Sequence, residues 1–199
     1  MTEYTPHQKS LIDTYRDINT QHTEWWDCTY DDFKSDMSLT GIDVDKMMFS
    51  GFWSQGDGAS FTGRITDVKL FMEHHKIADF QPTVMRLLSY GGNIDLTVEQ
   101  TGSYSHYCHE YTVRVFNPHS DEFWLVLPTG DPLRTAVAEQ WDKELNTELS
   151  ALEEAATEII RDDCRSLYRR LEEEYEYLTS DDAVWETIQS NDLETEEDA

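Results

Sequence analysis

The strongest case for chemistry in this sequence is the run SYSHYCHEY, residues 103–111. Read as an extended strand, it sets His106, Cys108 and Glu110 on one face and His109 on the other. Imidazole, thiolate and carboxylate are the donors that zinc and other transition-metal ions take, but a closed zinc site needs four ligands. No partner run with ligand spacing occurs elsewhere. His74 and His75 are the nearest by residue type, and Asp57 could project toward the strand from a turn. The plainer reading, a polar-faced edge strand with ordinary hydrogen bonds, is the one the sequence favours.

Asp57 lies in MMFSGFWSQGDGASFTGRI, residues 47–65, where glycines flank a lone aspartate between two aromatic-rich runs. Such an aspartate suits an active-site loop or a tight turn, and a turn needing positive φ accounts for Gly56, Asp57 and Gly58 without chemistry. Asp43 and Asp45 in GIDVDK stand two apart and would present paired carboxylates to a magnesium ion if extended. Ser54 has no evident base. No Walker loop, GxSxG elbow, HExxH pair or kinase signature occurs. We therefore expect no catalytic residue and no cofactor, with a metal-dependent enzyme built on His106, Cys108 and Asp57 as an alternative.

The elements that must position these residues follow from periodicity. SLIDTYRDINTQ places Leu11, Ile12, Tyr15 and Ile18 on a helical stripe with Ser10 as N-cap, and Trp26, Tyr30, Phe33 and Met37 mark a second helix. KMMFSGFWS and ASFTGRIT read as a β-hairpin joined by residues 55–58. Two short helices follow, DVKLFMEHHKIAD and PTVMRLLSYGG, the second opened by Pro82. NIDLTVEQTG and SHYCHEYTVRVF then alternate as a second hairpin. The expected fold is α+β: a four-stranded antiparallel sheet of two hairpins with helices on one face, plus a long C-terminal helical extension. We place the α+β domain at 1–131, C-terminal helices at 132–191 and a disordered acidic tail at 192–199.

From Leu133 to Leu178 there is neither proline nor glycine, and apolar or small residues, Leu145, Leu149, Leu152, Ala156, Ile160, Cys164, Leu167 and Leu171 among them, recur at helical spacing. An unbroken helix there would span about 68 Å at about 1.5 Å per residue. That length predicts a break, a helical hairpin or pairing with a second chain, and so a homo-oligomer through this helix.

Charge limits the partners. The chain carries 41 acidic and 15 basic residues, a formal net charge of -26. From Glu139 to the end there are 21 acids against 5 bases. Direct nucleic-acid binding and adhesion to anionic lipid are electrostatically unfavourable, so any macromolecular partner is expected to be a basic protein. Arg161, Arg165, Arg169 and Arg170 sit among glutamates and read as intrahelical ion pairs. As a nucleic-acid mimic the long helix alone is dilute, with 13 acids and 5 bases between Glu139 and Leu178, where duplex DNA of about 60 Å carries about 35 phosphates. Few lysines and many acids also fit adaptation to high salt. Expected interaction residues are Trp53, Asp57, Glu153, Glu154, Asp162, Asp163, Glu172, Glu173 and Glu174.

The opening residues show no basic region followed by an apolar stretch, and FWLVL, residues 123–127, is far short of a membrane span. The three cysteines lack CxxC spacing, which suits a reducing cytoplasm.

GIDVDKMMFSGFWSQGDGASFTG and CRSLYRRLEEEYEYLTSDDAVWETIQSN resemble an uncharacterised family of tailed-phage, prophage and plasmid proteins, some of them labelled antitoxin of a toxin-antitoxin stability system. The resemblance runs from about Trp25 to about Asn191. It implies a virus or mobile element, hence a host cytoplasm, and brings no catalytic residues. Together these readings predict a non-enzymatic acidic protein that binds a host or mobile-element protein, with an antitoxin-like neutraliser and a virion or scaffold component as alternatives.

Overall fold

The computed structural model describes residues 3–21, 24–90, 92–101, 107–118 and 132–195, the last stretch with side chains from 140 to 194. Along it run α1 (Pro6–Thr14), α2 (Asp27–Ser38), β1 (Ile42–Phe49), β2 (Ala59–Ile65), α3 (Val68–His74), α4 (Pro82–Ser89), β3 (Leu96–Gln100), β4 (Val113–Phe116), α5 (Pro132–Leu178) and α6 (Asp181–Ser190). Contacts sort the chain into two compact units, residues 33–168 and residues 1–32 with 169–199.

In the larger unit the strands lie in the order β1-β2-β3-β4, antiparallel throughout, with α3 and α4 in the connection between the hairpins. This is the expected α+β sheet. The central strand β2 buries Ala59, Phe61 and Ile65, and Phe33 of α2 meets Phe61 edge-on at 5.5 Å between ring centres. The first hairpin is shifted from its expected place: β1 starts at Ile42 and stops at Phe49, so GFWSQGDG is loop. Alternation sets the start, because Ile42 and Val44 are buried and Asp43 is exposed. A bulge at Asp45, between Val44 and Lys46, then shifts the register.

In the second hairpin residues 107–112 depart from the strand that the sequence pattern suggests. Among the described residues Val113–Phe116 pairs with β3, while residues 107–109 are irregular and Glu110–Thr112 form a 3-10 turn. Local hydrogen bonds explain the departure. His109 Nδ1 accepts from the Tyr111 amide at 3.2 Å, and the His109 carbonyl accepts from the Thr112 amide at 2.8 Å. These compete with the ladder for the same backbone.

α5 is a single unbroken helix of 47 residues, about 70 Å long. The expected break or hairpin is absent, and Leu145, Leu149, Leu152, Ala156, Ile160, Cys164, Leu167 and Leu171 are all buried within this one chain. Polar ties accompany the apolar ones in the larger unit. Backbone amides of Val115 and Asn117 donate to Thr157 Oγ1 at 3.0 Å and Glu153 Oε1 at 2.8 Å. Glu148 accepts from the amides of Thr83 and Val84 at 2.7 and 2.9 Å and from the Thr83 hydroxyl at 2.7 Å. The residue at the N-cap of α4, Gln81, makes no side-chain cap, so a carboxylate from α5 satisfies those first-turn donors instead.

The smaller unit joins the two ends of the sequence. Ile12 packs with Val184 and Ile188, and Tyr4, Leu11, Tyr15, Ile18, Trp185 and Leu193 surround them. α1 starts earlier than its apolar stripe implies because Thr5, not Ser10, caps it: Thr5 and Gln8 form a capping box and Pro6 opens the first turn. Arg16 donates to the Thr179 carbonyl at 3.0 Å and to Asp181 at 2.5 Å, and Asn19 donates to the Leu178 carbonyl at 2.9 Å. Leu193 gives the first part of the acidic tail a place against the core; residues 196–199 lie outside the described residues. Among the described residues no helix is long and apolar enough to cross a membrane.

Candidate functional site: an aromatic surface around the 50–58 loop

The loop between β1 and β2 is built around one carboxylate. Asp57 Oδ2 accepts from the amides of both Trp53 and Ser54, at 2.9 and 2.6 Å, while the Asp57 amide donates to the Ser54 carbonyl at 3.0 Å. The Ser50 amide closes the loop on the Gly58 carbonyl at 3.1 Å. This is turn chemistry of the kind aspartate favours. Gly56 has φ +95°, as a turn requires, but Gly58 does not adopt a positive φ. Gly58 is needed for space, since a Cβ there would lie 2.6 Å from His109 Cβ and 2.8 Å from His109 Cα.

The loop thereby presents rings. Phe52 stacks on Phe49 at 5.7 Å, meets Tyr168 of α5 at 5.6 Å and touches Trp53 at 6.4 Å. Trp53 is 73% exposed. On the other side of the loop Tyr107, His109 and Tyr111 follow one another at 6.4 and 6.1 Å. Tyr107 lies over Gly56 of this loop, where a Cβ would be 3.2 Å from Tyr107 Cε1. Tyr107 and Tyr111 are 53% and 60% exposed, so the series forms an accessible aromatic ribbon. Its far end already holds cations: the guanidinium carbons of Arg161 and Arg165 sit 5.5 and 5.8 Å from the centre of the Tyr111 ring. Arg161 pairs with Glu158, and Arg165 with Asp162 and, at 3.3 Å, with Glu110.

Among the described residues the candidate metal ligands have separate local roles. Cys108 is buried, and burial pushes its thiol up against the opposing pull of Lys46. His109 uses Nδ1 on the Tyr111 amide, Glu110 sits in the 3-10 turn beside Arg165, and Asp57 serves its own loop. Cys108 and Glu110 do not share a strand face, since residues 107–109 are irregular and Glu110 opens a 3-10 turn, and His106 lies outside the described residues. Among the described residues no three His, Cys, Asp or Glu side chains gather to hold a metal ion. Asp43 stands opposite Arg64 and Asp45 is the bulged residue, so the two do not form the regular pair their spacing implied. Cys164 is a core residue whose thiol burial pushes up to about 12.

The acids expected to meet a partner divide. Glu153 is spent on Asn117 and Asp162 on Arg165; Glu154 and Glu173 are exposed, and Asp163, Glu172 and Glu174 are half-buried. Sequence reasoning found Trp53 but missed Phe52, Tyr107, Tyr111 and Tyr168 as a group. The signal was the aromatic interleaving of GFW and HYCHEY, hidden behind the ligand-type residues of the same segments.

The sequence profile of a family described as a domain of unknown function, DUF8835, matches residues 25–181. No curated protein and no solved structure matches the chain.

Proposed function

The chain belongs to the DUF8835 family, a premise that carries no activity with it, so we propose from its own surface that it is a non-enzymatic binding protein for a basic protein partner. The observation that carries this reading is the net charge of -26, which raises the local concentration of cationic partners and speeds their encounter. The rings around Trp53 support it by offering what such a partner can grip after encounter, because aromatic residues dominate interface energetics. The resemblance to phage, prophage and plasmid proteins makes a host or mobile-element protein the natural target in a host cytoplasm, and neutralising a nucleic-acid-binding toxin or defence protein would suit the charge.

Affinity purification of the full chain from its native host, followed by mass spectrometry, tests this. We expect enrichment of a protein with a basic surface that elutes as salt is raised. Enrichment no greater than that on an unrelated protein of equal acidity would overturn it.

A further inference from the structure

We infer that the exposed ring surface led by Trp53 and Tyr107 docks an arginine-bearing segment of that basic partner, an inference that rests on the proposed function. Two observations point to a guanidinium. Trp53 and Tyr107 are exposed at 73% and 53%, and the Asp57 carboxylate fixes the backbone under the indole. The ring series that begins at Tyr107 already accommodates guanidinium groups at its other end, those of Arg161 and Arg165 on Tyr111, with Glu158, Asp162 and Glu110 as their carboxylate partners. A ring face with a nearby carboxylate suits a planar, weakly hydrated guanidinium better than a compact, strongly hydrated ammonium. Single-stranded nucleic acid also stacks on aromatic residues, but it needs a cationic groove to hold its backbone, and the net charge here is -26.

Charge alone cannot tell arginine from lysine, which makes the comparison a clean test. Fluorescein-labelled nona-arginine and nona-lysine peptides are titrated by anisotropy with the full chain, with Trp53→Ala and with Trp53→Phe, at low and moderate salt. We expect the wild type to prefer nona-arginine by about twofold to fivefold, the span of an exposed cation–π contact. Trp53→Ala should erase that preference while keeping the salt dependence, and Trp53→Phe should restore part of it. A preference that survives in Trp53→Ala, or none in the wild type, overturns the docking surface and leaves the proposed function standing. Absence of binding by both peptides at low salt overturns the proposed function and the inference with it. Tighter binding of an uncharged tryptophan-rich peptide would give the surface to an apolar partner and overturn the arginine assignment.

Discussion

Asp57 holds two consecutive amides with one carboxylate oxygen, and that arrangement answers for its place between glycines. Replacing it by alanine leaves both amides to water and should cost about 1 to 2 kcal/mol, whereas Asp57→Asn keeps an acceptor and should cost less than about 1 kcal/mol. Urea denaturation of the two variants measures the difference; an alanine variant as stable as wild type would show that the loop does not depend on this residue. Gly58 illustrates how a sequence pattern can point to the right turn for an incomplete reason. Its neighbours suggested positive φ, but the constraint is the backbone and Cβ of His109, a contact 51 residues away that no local pattern displays. His75 supplies the pH dependence at this scale. Burial lowers its pKa, the neighbouring His74 lowers it further, and its Nε2 is buried without a hydrogen-bond partner. The neutral ring is therefore the form the fold favours. Because the unfolded chain takes up that proton first, the His75 contribution is fully present above the unfolded value of 6.5. It is lost as pH falls from there through the lower folded value. Melting temperatures of wild type and His75→Phe should therefore lie close above pH 6 and diverge below it, wild type falling further, if the Phe71 stacking is kept and the proton penalty is removed. A constant difference across that range would contradict the assignment.

The long helix shows what an element can and cannot announce. Its span and its stripe were legible because 3.6-residue periodicity is a local property, and Leu133 to Leu178 contains neither proline nor glycine. What covers the stripe was not legible, since that depends on contacts distant in sequence. The amide of Val115 finds Thr157, and the first turn of α4 finds Glu148, 65 and 64 residues from its donors. The same limit explains residues 107–111, whose alternation mimicked a strand until His109 captured the Tyr111 amide. Cover by the chain itself makes Leu152, with no exposed surface, a test of the fold. Leu152→Ala should destabilise the isolated chain by about 2 to 5 kcal/mol. If the change instead left thermal stability intact and altered only the mass seen by light scattering, a second chain would be the true cover.

At the scale of the whole molecule, acidity and aromatic surface have separable effects. Of the 41 acidic residues, some are internal acceptors, as Glu148 and Glu153 are for backbone amides, and these contribute to folding more than to encounter. The exposed remainder, Glu154 and Glu173 among them, sets a field that acts over about 10 Å at 0.1 M salt. The total charge was readable from composition alone, but which carboxylates remain available was not, because each assignment needed a partner from another element. Long-range charge should govern how fast a basic partner arrives, and close ring contacts should govern how long it stays. The most direct test is stopped-flow binding of nona-arginine to wild type and Trp53→Ala across a range of ionic strength. The association rate should fall steeply with salt and equally in both proteins, and dissociation should be faster by about twofold to fivefold in Trp53→Ala. An association rate that does not change with salt would contradict the account and reduce the acidity to a solubility or high-salt adaptation.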